Sequence, residues 1–169
     1  MQSKANIADA PSRRVVRAQY TLPPWFVRWL TSRFLLGLHL FAAGSQPLCP
    51  LFAATDHTVG SLGNPWLCSW QAPAGWTFVF PPLPDSLLFE VASRITFGAP
   101  VYALVLVPKW PSKNYYHVIC AASTARWTFP LRCHHAAFVD TSLPTAHVFT
   151  LFCITPASQH TICGLGLPV

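Results

Sequence analysis

Charge is what this chain has least of. Only 9% of its 169 residues are Asp, Glu, Lys or Arg, against about 25% in an ordinary soluble domain. With 52% hydrophobic residues, global disorder is excluded, because disordered chains are polar and charged. Five acidic residues in all leave little for chemistry that needs several carboxylates around metal ions. No heptad or triplet repeat occurs, which removes coiled coils and collagen-like chains. The six cysteines form no CxxC pair. An even count without a secretory leader does not define a disulfide framework, so reduced, mostly buried thiols are expected. Long hydrophobic runs are missing too. A membrane span needs about 20 apolar residues, and the best stretch, Phe34 to Leu51, is interrupted by Gly44, Ser45, Gln46, Pro47 and Pro50. The first 33 residues carry six basic side chains and no early apolar run, so no signal peptide is expected and a cytoplasmic or nuclear place is favoured.

What is present is proline and apolar bulk. Seventeen prolines are about twice the usual share, in a chain of mean hydropathy +0.38. The charge is uneven as well. Six of the 11 basic residues precede Phe34 with only Asp9 against them, and the rest of the chain holds 5 basic and 4 acidic groups. A basic arm ahead of a near-neutral body suits contact with nucleic acid or another anionic surface; the plainer reading is a solvated segment.

Pro23 and Pro24 can open a helix. Trp25, Phe26, Trp29, Leu30 and Phe34 then fall close to one helical face. "LHLFAA" after Gly37 reads as a short buried strand. Residues 45–75 read as loop, and "WTFVFPP" as an aromatic strand stopped by Pro81-Pro82. Asp85-Ser86 could cap a helix with a Leu87, Leu88, Val91, Ile95 stripe. "VYALVLV" at 101–107 reads as a strand buried on both faces, and a helix follows the proline turn at 108–111. This alternation predicts an α/β fold with parallel strands. The expected architecture is an incomplete or degenerate Rossmann-like layer of short parallel strands and helices, with an irregular C-terminal tail. The expected divisions are a basic linker at 1–18, the α/β segment at 19–123, and an irregular Cys/His-containing tail at 124–169, in which only "HVFTLFCI" looks strand-like.

Several phrases carry a family resemblance. They are Asn6 to Arg13 around Asp9, Tyr20-Thr21-Leu22, Leu40-Phe41-Ala42, Ser69-Trp70, Phe80-Pro81-Pro82, Val107-Pro108 and Trp110-Pro111. In order and spacing they resemble the end of ribonuclease H and the stretch after it in polyproteins of tyrosine-recombinase retrotransposons of the DIRS and Ngaro type, over about residues 5–120. Three departures stand out. Pro11 replaces a Leu, His39 replaces an Asp before Leu-Phe-Ala, and "GSLGNPWLCSW" replaces an acidic phrase. The resemblance implies that 1–18 is a remnant of the ribonuclease H end, and that DNA or RNA and the other parts of a retroelement polyprotein are the partners. A membrane is a disfavoured partner.

Four chemistries come into question. By resemblance Asp9 is a vestigial ribonuclease H carboxylate; two-metal cleavage needs several carboxylates holding cations about 3.5–4 Å apart, so no nuclease activity is expected of this chain alone. The order of Leu-Phe-Ala-Ala-Gly, Phe-Pro-Pro and a buried strand resembles adenine-specific DNA methyltransferases. There a polar residue before Pro-Pro holds the target amino group; Phe80 cannot accept that hydrogen bond, so the reading is a degenerate methyltransferase-like domain without a cofactor. Cys133, His135, His160 and Cys163 are weak zinc candidates, since their spacing matches no standard pair. Nucleic-acid contact is assigned to Arg13, Arg14, Arg17, Arg28, Arg33, Lys109, Trp110, Lys113, Tyr115 and Tyr116, where bases stack on rings and cations meet phosphates. The leading expectation is thus an inactive retrotransposon polyprotein fragment. A membrane-associated or interaction protein, the degenerate methyltransferase-like domain and a decayed reading frame stand as alternatives.

Overall fold

Two prolines start the first helix. Pro23 has the extended backbone of an N-cap, and Pro24 occupies the opening turn of α1 (Pro24–Arg33), where a missing N–H costs nothing. Phe26 and Leu30, one turn apart, are fully buried. The helix ends where Phe34 turns extended and donates its N–H to the Leu30 carbonyl. The computed structural model describes residues 22–42, 47–55, 58–81, 85–132 and 146–159.

Six strands follow: β1 (Leu36–Leu40), β2 (Phe52–Ala53), β3 (Trp76–Val79), β4 (Ala103–Pro108), β5 (Ser123–Arg132) and β6 (Ala146–Ile154). They form one sheet in the order β2-β1-β3-β4-β6-β5. The β2-β1, β1-β3 and β3-β4 junctions are parallel; β6 is antiparallel to both β4 and β5. Helix α2 (Asp85–Phe97) connects β3 to β4, and α3 (Asn114–Ala121) connects β4 to the edge strand β5. The protein is therefore α/β with a Rossmann-like layer, as its alternation of elements predicts. β4 is buried along its whole length, which explains its unbroken apolar sequence.

Each face of the sheet buries its own cluster. On one, Leu38, Leu40, Val79, Val105 and Val107 meet Val91 and Ile95 of α2 and Ile119 of α3. On the other, Phe78, Leu104, Leu106, Phe149 and Leu151 meet Phe26 and Leu30 of α1. Each such side chain contributes about 1.5–3 kcal/mol on burial. At Gly37 the β1–β3 register shifts between Leu36 and Leu38. A Cβ at Gly37 would run into the Ala74 carbonyl, so the residue is required for the close passage of the 74–75 turn.

The tail differs from expectation. Residues 123–132 and 146–154, read as irregular apart from "HVFTLFCI", are two long strands, so one sheet draws on both sides of residue 123. The signal in β5 is an alternation. Trp127 and Phe129 pack against the second cluster with the buried Leu131, while Arg126, Thr128 and Pro130 are exposed. Pro130 obscures the pattern, yet on an edge strand its missing N–H breaks no ladder. β6 then pairs residue for residue with β4, Val107 opposite Thr150, a non-local match that local pattern cannot show. The two-residue β2 falls within the stretch read as loop.

Candidate functional site

In open α/β sheets, ligands bind outside the carboxyl ends of the strands, where the strand order reverses. Here that point lies between β1 and β3, since the chain moves from β1 to β2 on one side and continues from β3 to β4 on the other. The two strand ends touch: Phe80 N–H reaches the Leu40 carbonyl at 3.5 Å. Phe41, Ala42, Phe80 and Pro81 are all buried. Phe41 has φ of 61°, a left-handed conformation that is rare for a bulky residue. Its ring meets Trp66 edge-on at 4.9 Å and Trp70 at 6.0 Å. Phe80 packs against Phe78 and Phe149. The described side chains at these strand ends thus make an aromatic and apolar wall with no side-chain hydrogen-bond acceptor.

One polar group sits just behind this wall. His39, only 3% exposed, accepts the Leu48 N–H on Nδ1 at 3.2 Å. Its proton therefore belongs on Nε2, which is buried without a hydrogen-bond partner. The Phe78 ring lies 5.1 Å away. Burial lowers the His39 pKa to about 4, because a charged imidazolium in this apolar setting has lost its water.

The loop carrying the tryptophans is held from α2. Arg94 donates to the carbonyls of Trp66 (2.6 Å) and Cys68 (2.9 Å) and lies over the Trp70 ring at 5.0 Å. Beside it is an open hollow of about 400 Å³ that also includes Glu90 and Phe97. With the Arg94 guanidinium committed to the loop, this hollow has little left to hold a ligand.

No family model and no curated protein matches this sequence.

The sequence-predicted nucleic-acid residues separate into three groups. Arg28 and Arg33 are exposed on α1, and Lys109 and Lys113 are exposed after β4, with the motif residue Pro111 exposed between them. Trp110 is half-buried against the first cluster. Tyr115 and Tyr116 are interior: one hydroxyl donates to the Pro108 carbonyl at 3.2 Å and the other pairs with Thr150 Oγ1 at 3.0 Å. Their rings offer no face to a base, so the stacking role assigned to them is corrected. Asp9, Arg13, Arg14, Arg17, Pro82, Cys133, His135, His160 and Cys163 lie outside the described residues. Among the described residues no three metal-ligating side chains come together. Cys49, Cys68, Cys120 and Cys153 are free thiols; burial pushes the pKa values of Cys49 and Cys153 up.

Sequence reasoning missed an aromatic seam where α1 meets the sheet edge. Trp25 touches Phe129 (6.3 Å between ring centroids), which touches Trp29 (4.8 Å). Trp29 then meets Trp127 (5.8 Å), and Trp127 meets Phe34 (5.8 Å). Phe34 meets Trp76 (5.6 Å), which meets Tyr102 (5.5 Å). The Arg33 guanidinium lies over Trp29 at 4.8 Å. The available signal was the alternation that places Trp127 and Phe129 on one face of β5.

Proposed function

We propose that this chain is a catalytically silent, methyltransferase-like α/β domain from a tyrosine-recombinase retrotransposon polyprotein. The observation that carries the reading is the sheet. Its parallel run β2-β1-β3-β4 is continued by the reversed β6 and closed by β5, an open α/β sheet whose strand order reverses between β1 and β3. The phrases that resemble adenine-specific DNA methyltransferases lie at the strand ends beside that point: Leu40-Phe41-Ala42 ends β1 and Phe80-Pro81 ends β3.

Silence follows from the residues at those positions. Methyltransferases of the adenine-specific class use a polar residue before Pro-Pro, and Phe80 has no hydrogen-bond acceptor in its side chain. An acidic residue belongs near the cofactor, and His39 stands there, buried and neutral. The described residues at these positions therefore do not supply the contacts that S-adenosylmethionine or an extruded adenine would need, and no methyl-transfer step is derived. The domain's work on element DNA or RNA is contact, not modification, in the cytoplasm or nucleus. Among the described residues no helix is long and apolar enough to cross a membrane.

The test of origin is the genomic DNA upstream of the Met1 codon. An in-frame reverse transcriptase and ribonuclease H is the expected result; an unrelated coding sequence there overturns the retrotransposon half of the proposal.

A further inference from the structure

We infer that the aromatic seam between α1 and β5 is a binding platform for single-stranded nucleic acid, distinct from the crevice at the strand ends. The inference rests on the proposed function only for the class of partner; the seam's geometry stands apart from it.

The seam opens to solvent at both ends. Trp25 is 44% exposed and Tyr102 is 53% exposed, and the five rings between them are half-buried. A continuous path of rings that is neither sealed in the core nor scattered singly is a surface for planar, apolar partners. Bases stack on such rings with little regard to sequence. The rings meet edge-on along most of the path, as aromatic quadrupoles prefer.

Charge selects among planar partners. Arg28 and Arg33 are exposed on the helix that forms one wall, and the Arg33 guanidinium already lies over Trp29. That places a cation beside the rings, the pairing that single-strand grooves use for backbone and base together. Among the described side chains the one carboxylate, Glu90, sits on α2, against the opposite face of the sheet. A polyanion therefore meets no described like charge along the seam. Duplex DNA, with its bases stacked inside, cannot use ring faces in this way, so the occupant is single-stranded.

The experiment is fluorescence anisotropy with a labelled oligothymidylate of about a dozen nucleotides, within the span of usual single-strand sites. Trp25→Ala and Tyr102→Ala remove exposed rings and leave the core intact, which an unchanged thermal melt verifies. Each is expected to weaken binding about ten-fold. Arg28→Glu with Arg33→Glu is expected to weaken binding and to flatten its salt dependence, by about 0.7 in slope for each phosphate no longer neutralised. Absence of binding by the intact chain overturns the inference. So does equal affinity for a duplex of the same length, or affinity unchanged in all three variants. Self-association that disappears in the ring variants also overturns it, since the seam would then cover a second copy. Binding without an upstream polymerase sinks the family and keeps the platform; a polymerase without binding does the reverse.

Discussion

His39 makes the folded state sensitive to acid in a way that can be isolated. Its pKa falls from 6.5 to about 4 because the ring is buried. Between those values the unfolded chain binds a proton that the folded chain refuses. Stability therefore falls as pH drops from about 6.5 and stops falling, for this group, near pH 4. Each pH unit of displacement is worth about 1.4 kcal/mol, so the loss by pH 4 is about 3 kcal/mol. The perturbation is His39→Leu. It removes the buried Nε2 that lacks a partner, a benefit of about 1–3 kcal/mol. It also strips the Leu48 N–H of its acceptor, a cost of similar size. At pH 7 the two nearly cancel, and the variant should lie within about 1 kcal/mol of the parent. At pH 4 it should be more stable than the parent by about 3 kcal/mol relative to that baseline. Urea titrations followed by tryptophan fluorescence at several pH values between 4 and 7 give the difference directly, and all other titrating groups cancel between the two proteins. Parallel stability curves, with a constant offset across the range, would refute a buried neutral His39.

Interactions that join distant segments can be tested by single substitutions. Gln159 accepts the Val101 N–H at 3.0 Å and donates to the Ile95 carbonyl at 2.7 Å, both buried; Gln159→Leu leaves both backbone groups unpaired and should cost about 3 kcal/mol in chemical denaturation. Gly37→Ala pushes a methyl into the Ala74 carbonyl and should lower stability by about 1–3 kcal/mol, with amide exchange rising first in β1 and the 74–75 turn. Tyr116→Phe removes only the hydrogen bond to Thr150 and should cost about 1 kcal/mol without changing oligonucleotide affinity, because its ring is interior.

Much of the central layer was legible because local chemistry there agrees with the fold. Pro23-Pro24 marks the start of α1, and the Leu88, Val91, Ile95 stripe becomes the buried face of α2. The continuous apolar run of β4 reports burial on both sides. What local pattern cannot supply is the order of strands, because β6 takes its place only by pairing with β4, some 40 residues earlier. The candidate site was legible in part. The Leu40-Phe41-Ala42 and Phe80-Pro81 phrases meet at the switch point, yet nothing in the sequence says that His39 Nε2 lacks a partner there. Tyr115 and Tyr116 look like a stacking pair beside Lys109 and Lys113, but α3 turns both rings inward. Aromatic residues reveal their partners only when the strands are placed, so the sequence shows the Trp127 and Phe129 alternation but not the seam that joins them to Trp25 and Tyr102.

We propose a methyltransferase-like layer whose described strand-end residues do not hold the cofactor. Equilibrium dialysis of the purified chain against tritiated S-adenosylmethionine tests it most directly. No bound label at cofactor concentrations up to the millimolar range is the predicted result; saturable one-to-one binding with a micromolar dissociation constant would contradict it.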